Sequence, residues 1–361
     1  MYGYIIKRIL LIIPTLFIIM MINFIIIQTA PGGPVEKILS NLNNNSRVTS
    51  EVATQTSNLS YSNSSNHQEK YNSSYGIDPE IIAQIEKNYG FDKPISTRFF
   101  LTLKQFVTFD FGSSLYQDKK VIDLLLEKMP VSISLGLWTT ILIYIISIPL
   151  GIRKAVKDGS KFDIWSSTIV IVCNAIPSFL FAIMLIVLFA GGNFFNIFPL
   201  RGLVSSNFSE LGFFEKIADY FWHLCLPIIS MVIGGFASLT FFVKNSFIEE
   251  VNKQYVITAY AKGLKQKQVL YSHVFRNAMM IIVAGLPASL VGVFFTGSML
   301  IEIIFSLDGL GLMGYEAAIT RDYPVMFATL YIFTLLGLIM NIISDITYKL
   351  VDPRVNFESI Q

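Results

Sequence analysis

Six stretches of this chain run for at least 22 residues without Asp, Glu, Lys or Arg: 9–35, 129–152, 164–200, 220–243, 277–301 and 323–344. About 20 apolar residues cross a bilayer as a helix. A charge near the middle of such a span costs roughly 2.5–3.5 kcal/mol, so six clean windows point to lipid as the solvent. A spanning strand would alternate over about ten residues, whereas these runs are continuous, which predicts helices. Composition agrees: 53% of the 361 residues are hydrophobic and 14% are charged, against about 25% charged in soluble domains. Mean hydropathy is +0.58. A soluble enzyme, a nucleic-acid binder and a disordered chain are excluded, and a net charge of +2 gives no reason to expect a nucleic-acid partner. The expected fold is an all-α polytopic membrane protein with six transmembrane helices.

Basic residues set the orientation. With the N-terminus inside, the inner segments 1–8, 151–163, 244–276 and 349–361 hold 14 Lys/Arg in 67 residues; the outer segments 30–130, 191–222 and 304–324 hold 13 in 154. Density puts both termini in the cytoplasm. The first run follows Lys7 and Arg8 like a secretory signal. It is too long for a signal core, and Gln28-Thr29-Ala30 before Pro31 is a poor cleavage site, so it reads as a retained signal-anchor. Five runs carry an internal proline (Pro14, Pro149, Pro177, Pro227, Pro287). These are either ordinary membrane-helix kinks or parts of a gate.

Residues 40–75 contain ten Ser and eight Asn and almost no large apolar side chain. Such a stretch buries too little surface to offset its chain entropy and reads as a mobile insert. Its Asn-x-Ser triplets, such as those at Asn58 and Asn63, are expected by chance in this composition. Order is expected to return at Asp78-Pro79-Glu80, which has the composition of a helix start, with Ile81, Ile82, Ile85 and Tyr89 following at helical spacing. Phe99, Phe100, Leu103 and Phe106 form a second amphipathic stripe; the two segments either lie on the membrane surface, pack on each other, or receive an external partner.

The inner segment 244–276 is long for a connection between helices, which usually takes 2–8 residues. Two helical stretches are expected. Tyr255, Thr258, Ala259 and Lys262 share a face of the first; Val269, Leu270, His273 and Val274 form a stripe on the second. Gly263 lies between them, where the reversal needs positive φ or close backbone approach. Ala259 and Ala261 leave room for another surface. The pattern alone fits either a solvated basic loop or a short helix–turn–helix with a small-residue tip.

At these residues the chain resembles a known family. Gln254-Tyr255-Val256, Thr258-Ala259, Ala261-Lys262-Gly263 and His273 to Arg276-Asn277-Ala278 look like the coupling loop of ABC importer permeases of the dipeptide/oligopeptide branch. Further matching stretches are Ala30-Pro31-Gly32, Tyr89 to Pro94, Asp110 to Ser114, Gly309-Leu310-Gly311, Arg321-Asp322-Tyr323-Pro324 and Asp352-Pro353-Arg354. Ser147 to Lys154, Phe198 to Val204 and Lys244 to Phe247 are most similar to the Yej-type permeases, a branch associated with uptake of oligopeptides and microcin C. Two positions depart from the pattern: Ile281 and Asp308 stand where many members have proline. The insert matches nothing in the pattern.

The resemblance implies a type I importer permease fold in the bacterial inner membrane. It divides the chain into a signal-anchor (1–35), an extracytoplasmic loop (36–128) holding the insert (40–75), a five-helix core (129–350) and a cytoplasmic tail (351–361). It implies a second homologous permease, ABC ATPase subunits, an extracytoplasmic peptide-binding protein and a peptide substrate as partners. Tyr255, Thr258, Ala259, Ala261, Lys262, Gly263, His273 and Arg276 would couple the chain to the ATPase.

Other signals carry less. Gly309 to Gly314 satisfies G-x-G-x-x-G, but between two spans it lacks the βαβ context of a dinucleotide site. No G-x-x-x-x-G-K-[ST] occurs, so ATP chemistry is expected on another chain, this one being no enzyme. His67, His223 and His273 lack metal-ligand spacing and read as surface or interfacial. Cys173 and Cys225 lie in apolar runs, which argues against a disulfide or zinc framework; no metal or cofactor is expected. Asn23, Asn174 and Asn341 lie within spans, and line a pathway or bond a neighbouring helix. Glu302 and Asp345 sit at span ends, where solvation is easy. The competing class is an ion-gradient-driven secondary transporter. It would show internal repeats and intramembrane carboxylates, and neither is evident. A polytopic enzyme would need a catalytic cluster at one face, and none is visible.

Overall fold

The computed structural model describes residues 2–29, 93–117, 119–191, 194–292 and 299–351. The 40–75 insert, the helix expected after Asp78 and the 352–361 tail lie outside the described residues. Among the described residues the only β feature is an isolated bridge between Ser113 and Lys120. The described helices are α1 (Tyr2–Thr29), α2 (Ile95–Val107), α3 (Val121–Val156), α4 (Lys161–Ala175), α5 (Ser178–Phe189), α6 (Phe213–Val251) and α7 (Gln254–Ala261). After them come α8 (Gln266–Val269), a π turn (Leu270–Val274), α9 (Phe275–Ala284), α10 (Leu286–Gly292), α11 (Met299–Ile304), α12 (Leu310–Thr320) and α13 (Tyr323–Val351).

Four of the six apolar runs are single long helices: α1, α3, α6 and α13. At 1.5 Å per residue each exceeds the roughly 30 Å hydrocarbon core. The other two runs are broken. α4 and α5 meet at 89°. Ile176 is extended there, with φ −85° and ψ 119°, as expected of a residue held out of the helical region by the following proline. Pro177 then opens α5. In the fifth run α9 stops at Gly285. Pro287 falls in the first turn of α10, where its missing N–H costs nothing. Pro14, Pro149 and Pro227 are carried inside continuous helices, so proline alone does not decide a break.

The chain forms two compact units. One comprises Met1–Ile13, Asp123–Glu316 and Ile332–Gln361. Its core is split along the helices into two apolar clusters. The first gathers Leu135, Leu185, Leu224, Met231, Ile301 and Phe305. The second gathers Val243, Phe247, Val256, Val269, Val274 and Ile282 around the loop between α6 and α9. Near the second cluster Lys154 is wholly buried. Its Nζ lies 3.0 Å from Asp163 Oδ1 and donates to Ser166 Oγ at 3.0 Å and Ser167 Oγ at 2.6 Å. Lys244 reaches the other Asp163 oxygen at 2.7 Å and Asp158 at 2.8 Å. α3, α4 and α6 are thereby pinned by charges that are paired and hydrogen-bonded, the condition under which burying them is tolerable.

The other unit comprises Pro14–Ile122 and Ala317–Tyr331. α2 lays Phe99 edge-on against Phe17 and Phe24. Phe106 packs with Phe111 and Tyr331, so most of the stripe expected here is a packing face, while Phe100 stays exposed. Asp322 is buried and accepts from Ser114 Oγ at 2.5 Å and Leu115 N at 3.2 Å.

Removing one partner of a buried pair costs about 3–5 kcal/mol. Lys154→Ala is therefore expected to lower the thermal midpoint in detergent more than Lys244→Ala, because Lys244 is partly solvated. Burial pushes the Asp163 carboxyl up, but bonds from Lys244 and Lys154 outweigh it and hold the group below the usual carboxylate range. A depressed carboxylate stabilises above its unfolded value, near 4, and the contribution fades as pH falls through the folded value. The difference between wild type and Lys154→Ala should accordingly shrink in acid.

Candidate functional site

The loop between α6 and α9 is built from the end of α6 outward. α6 continues past the apolar run to Val251, placing Glu250 beyond the last span residues and 8% exposed. Glu250 organises the turn that follows. Lys253 Nζ donates to its Oε2 at 2.6 Å and Tyr255 Oη to its Oε1 at 2.8 Å, and Asn277 of α9 adds a further side-chain bond. Burial works to raise the Glu250 carboxyl; the Lys253 and Tyr255 bonds overcome it and hold the group low. Burial first, and then the bond to this carboxylate, push the Tyr255 phenol up to about 12. The pair is thus a neutral donor on an ionised acceptor throughout the physiological range. Ser246 Oγ donates to Ala278 O at 2.9 Å, and Phe247 packs on Phe275. Together these join α6 to α9.

The residues expected to form the tip are found in three settings. Val256 and Ala259, three apart, face inward at 1% and 5% exposure. Ala259 therefore packs in the core, while Thr258, Ala261, Lys262 and Gly263 are exposed. Tyr255 is half-buried and held by Glu250. Gly263 has φ +81° and open space where a Cβ would lie, so the turn needs it for backbone conformation rather than for close approach. Gly263 N donates to Tyr260 O at 2.9 Å and Leu264 N to Ala259 O at 3.3 Å. This is the Schellman pattern, with glycine in the left-handed position just past the helix.

The second stripe differs from expectation. Val269 and Val274, five residues apart, are both buried, while His273 is exposed. The cause is the π turn over Leu270–Val274, where Phe275 N bonds Leu270 O. Its wider period puts residues five apart on one face and turns His273 outward. Arg276 is exposed as well. The exposed residues of the loop thus include Ile257, Tyr260 and Tyr271, which are large and 44–62% exposed, and the basic Lys262, His273 and Arg276.

Glu250 was missed in the sequence. No local pattern marks it: Glu250 lies well past the apolar run that ends at Val243, and it meets Tyr255 and Asn277 only in the folded turn. Glu302 stands at a span end, where solvation is expected, but it is 0% exposed. His223 is buried at 8% rather than at a surface, with Nδ1 2.8 Å from Asp219 O.

Residues 147–357 match the family described as "binding-protein-dependent transport system inner membrane component". The chain is 55% identical to the "inner membrane ABC transporter permease protein YejB" of Escherichia coli, over 99% of this chain and 100% of that one. It is 52% identical to the "peptidoglycan transport system permease protein YejB" of Agrobacterium fabrum, over 99% of each. It is 31% identical to the "oligopeptide transport system permease protein AppB" of Bacillus subtilis, over 99% and 100%. Among solved structures it resembles a chain of the inward-facing MetNI methionine ABC transporter, with TM-score 0.50 and 17% identity, covering 64% of this chain and 97% of that one; this likeness concerns the fold.

Tyr255→Phe removes a hydrogen bond to a charged acceptor, a contact contributing about 1.5–3 kcal/mol. Amide exchange across 254–261 is expected to quicken about tenfold or more while the apolar part of α6 is unchanged. Equal protection in both proteins would show that the Glu250 bond does not hold α7.

Proposed function

The chain belongs to the binding-protein-dependent transport system inner membrane components, and on that premise we propose that it carries peptides inward with ATPase subunits that grip its 244–276 loop. It is the permease part of an ATP-driven ABC importer, a transport component rather than an enzyme. ATP is hydrolysed on separate chains. A second, homologous permease completes the pathway, and an extracytoplasmic binding protein delivers the substrate. Both termini lie in the cytoplasm, which puts the loop on the ATPase side. The substrate class follows relatives named for oligopeptide and peptidoglycan transport; peptides and peptide-bearing wall fragments share the extended backbone such a pathway has to accept.

One observation carries this reading: the loop displays Ile257, Tyr260 and Tyr271 to water while Val256, Ala259, Val269 and Val274 anchor it in the core. Exposed aromatic and aliphatic residues on a rigidly braced tip have the character of a docking anchor. Thr258, Ala261, Lys262, His273 and Arg276 surround that anchor and contact the ATPase. Tyr255 and Ala259 keep the tip in position, and Gly263 sets its reversal. Closure of the nucleotide-binding subunits moves the loop, and the braces through Glu250 and Ser246 pass the motion to α6 and α9. Alternating access is a shift between two states that ATP and loaded binding protein stabilise to different degrees.

Gly263→Asp puts bulk and negative charge at the tip. It should leave membrane insertion intact and cut peptide-stimulated ATP hydrolysis by tenfold or more. Gly263→Asn, which tolerates positive φ, should retain more activity. Normal stimulated hydrolysis in Gly263→Asp would contradict the assignment of the loop.

A further inference from the structure

At the end of the helices away from the loop, the first unit contains a buried carboxylate with no role in the coupling described above. Glu302, in α11, is completely shielded from solvent. Its Oε2 accepts from Leu312 N at 2.7 Å, and its Oε1 accepts from Ser132 Oγ of α3 at 3.0 Å. Ser132 Oγ in turn accepts from Leu310 N at 2.8 Å. Two of the free N–H groups that open α12 thus reach one carboxylate, one directly and one through a hydroxyl. The positive end of the helix offsets the buried charge.

The glycines of the turn make this approach possible. A Cβ on Gly309 would stand 2.5 Å from the Glu302 carboxyl carbon, and one on Gly311 would stand 3.0 Å from Oε2. Gly309 to Gly314 has the G-x-G-x-x-G spacing that elsewhere lets a backbone close on a phosphate; here the anion is supplied by the same chain. Ser306 takes φ +50° in the preceding reversal. Beside the turn, Lys128 of α3 pairs with Asp308, whose side chain is largely exposed. The chain entering α12 is therefore fastened to α3 and α11 at three points, Asp308, Leu310 and Leu312, while Tyr315 further along the helix remains open to solvent.

We propose that Glu302 is a positioning residue for the response to the binding protein: its carboxylate fixes α12 on α3, so that this segment offers a preformed surface to the docking partner. The inference rests on the reading above that a binding protein docks at the end of the bundle opposite the 244–276 loop. Preorganisation of this kind changes how much partner is needed, because the ordering cost is met before binding. It leaves the ATPase end untouched.

The test uses the whole complex, co-expressed with its second permease and ATPase subunits, in nanodiscs. ATP hydrolysis is measured as peptide-loaded binding protein is titrated. Glu302→Gln keeps the shape but removes the negative charge and one of the two accepting oxygens, so that Leu312 N and the Ser132 hydroxyl no longer both have a carboxylate acceptor. It should raise the half-saturating concentration of binding protein at least fivefold, with unstimulated hydrolysis and the plateau within twofold of wild type. Ser132→Ala should move the same parameter in the same direction, by less. An unchanged half-saturation in Glu302→Gln overturns the proposal, as does an equal fall of basal and stimulated rates, which marks a merely structural residue. If Glu302→Gln does not assemble, Ser132→Ala decides: wild-type half-saturation in that variant overturns the proposal. A wild-type complex that ignores binding protein would defeat the docking reading itself, and this proposal with it.

Discussion

In lipid no water satisfies an unpaired backbone N–H or C=O. That constraint accounts for why this chain is helical almost wherever it is apolar, and for where it stops being so. The two runs that break do so at Ile176–Pro177 and around Gly285–Pro287, where the backbone cannot keep its ladder. The same cost governs charge. Lys154, Asp163, Glu250 and Glu302 are all buried or nearly so, and each is surrounded by donors or acceptors placed to meet it. None of these clusters is a surface ornament. Each joins two or three helices at a point where apolar packing alone would leave the angle between them free.

The first unit is consequently braced at both ends. At one end Glu250 ties the close of α6 to α7 and α9, and the Lys154 cluster ties α3, α4 and α6. At the other end Glu302 ties α3, α11 and the opening of α12. The first apolar cluster lies between them, and the second surrounds the loop and anchors it. On the proposed function this division has mechanical sense. A permease that changes access must pass motion from a loop to its helices without dissipating it. Hydrogen-bonded corners hold the helices they join as one body, so that motion of the loop reaches α6 and α9 together.

Much of this was legible in the sequence. Charge-free runs mark every long helix among the described residues, and the family resemblance points to the transporter class. Gly263 was recognised as the reversal, although its spacing left open whether conformation or close packing required it. Periodicity failed where the helix itself changed period: an α-helical count puts His273 with Val269, and the π turn puts Val274 there instead. Charge was misjudged where tertiary context overrode position. Glu302 stands one residue past an apolar run, where water is normally near, yet α12 folds its own N-terminus over it. The clue was present in Gly309 and Gly311, whose missing side chains make space for something. Glu250 lacked any such local clue, because its partners Tyr255 and Asn277 meet it only through the folded turn.

The central claim is that this chain works as one membrane subunit of an ATPase-driven assembly. Affinity purification of the tagged chain in mild detergent, with mass identification of its companions, tests that most directly. A second permease of the same family and one or two ATPase chains are expected to co-purify in fixed proportion. A stable homo-oligomer, free of any ATPase and still moving peptide across liposomes on an ion gradient, would contradict it.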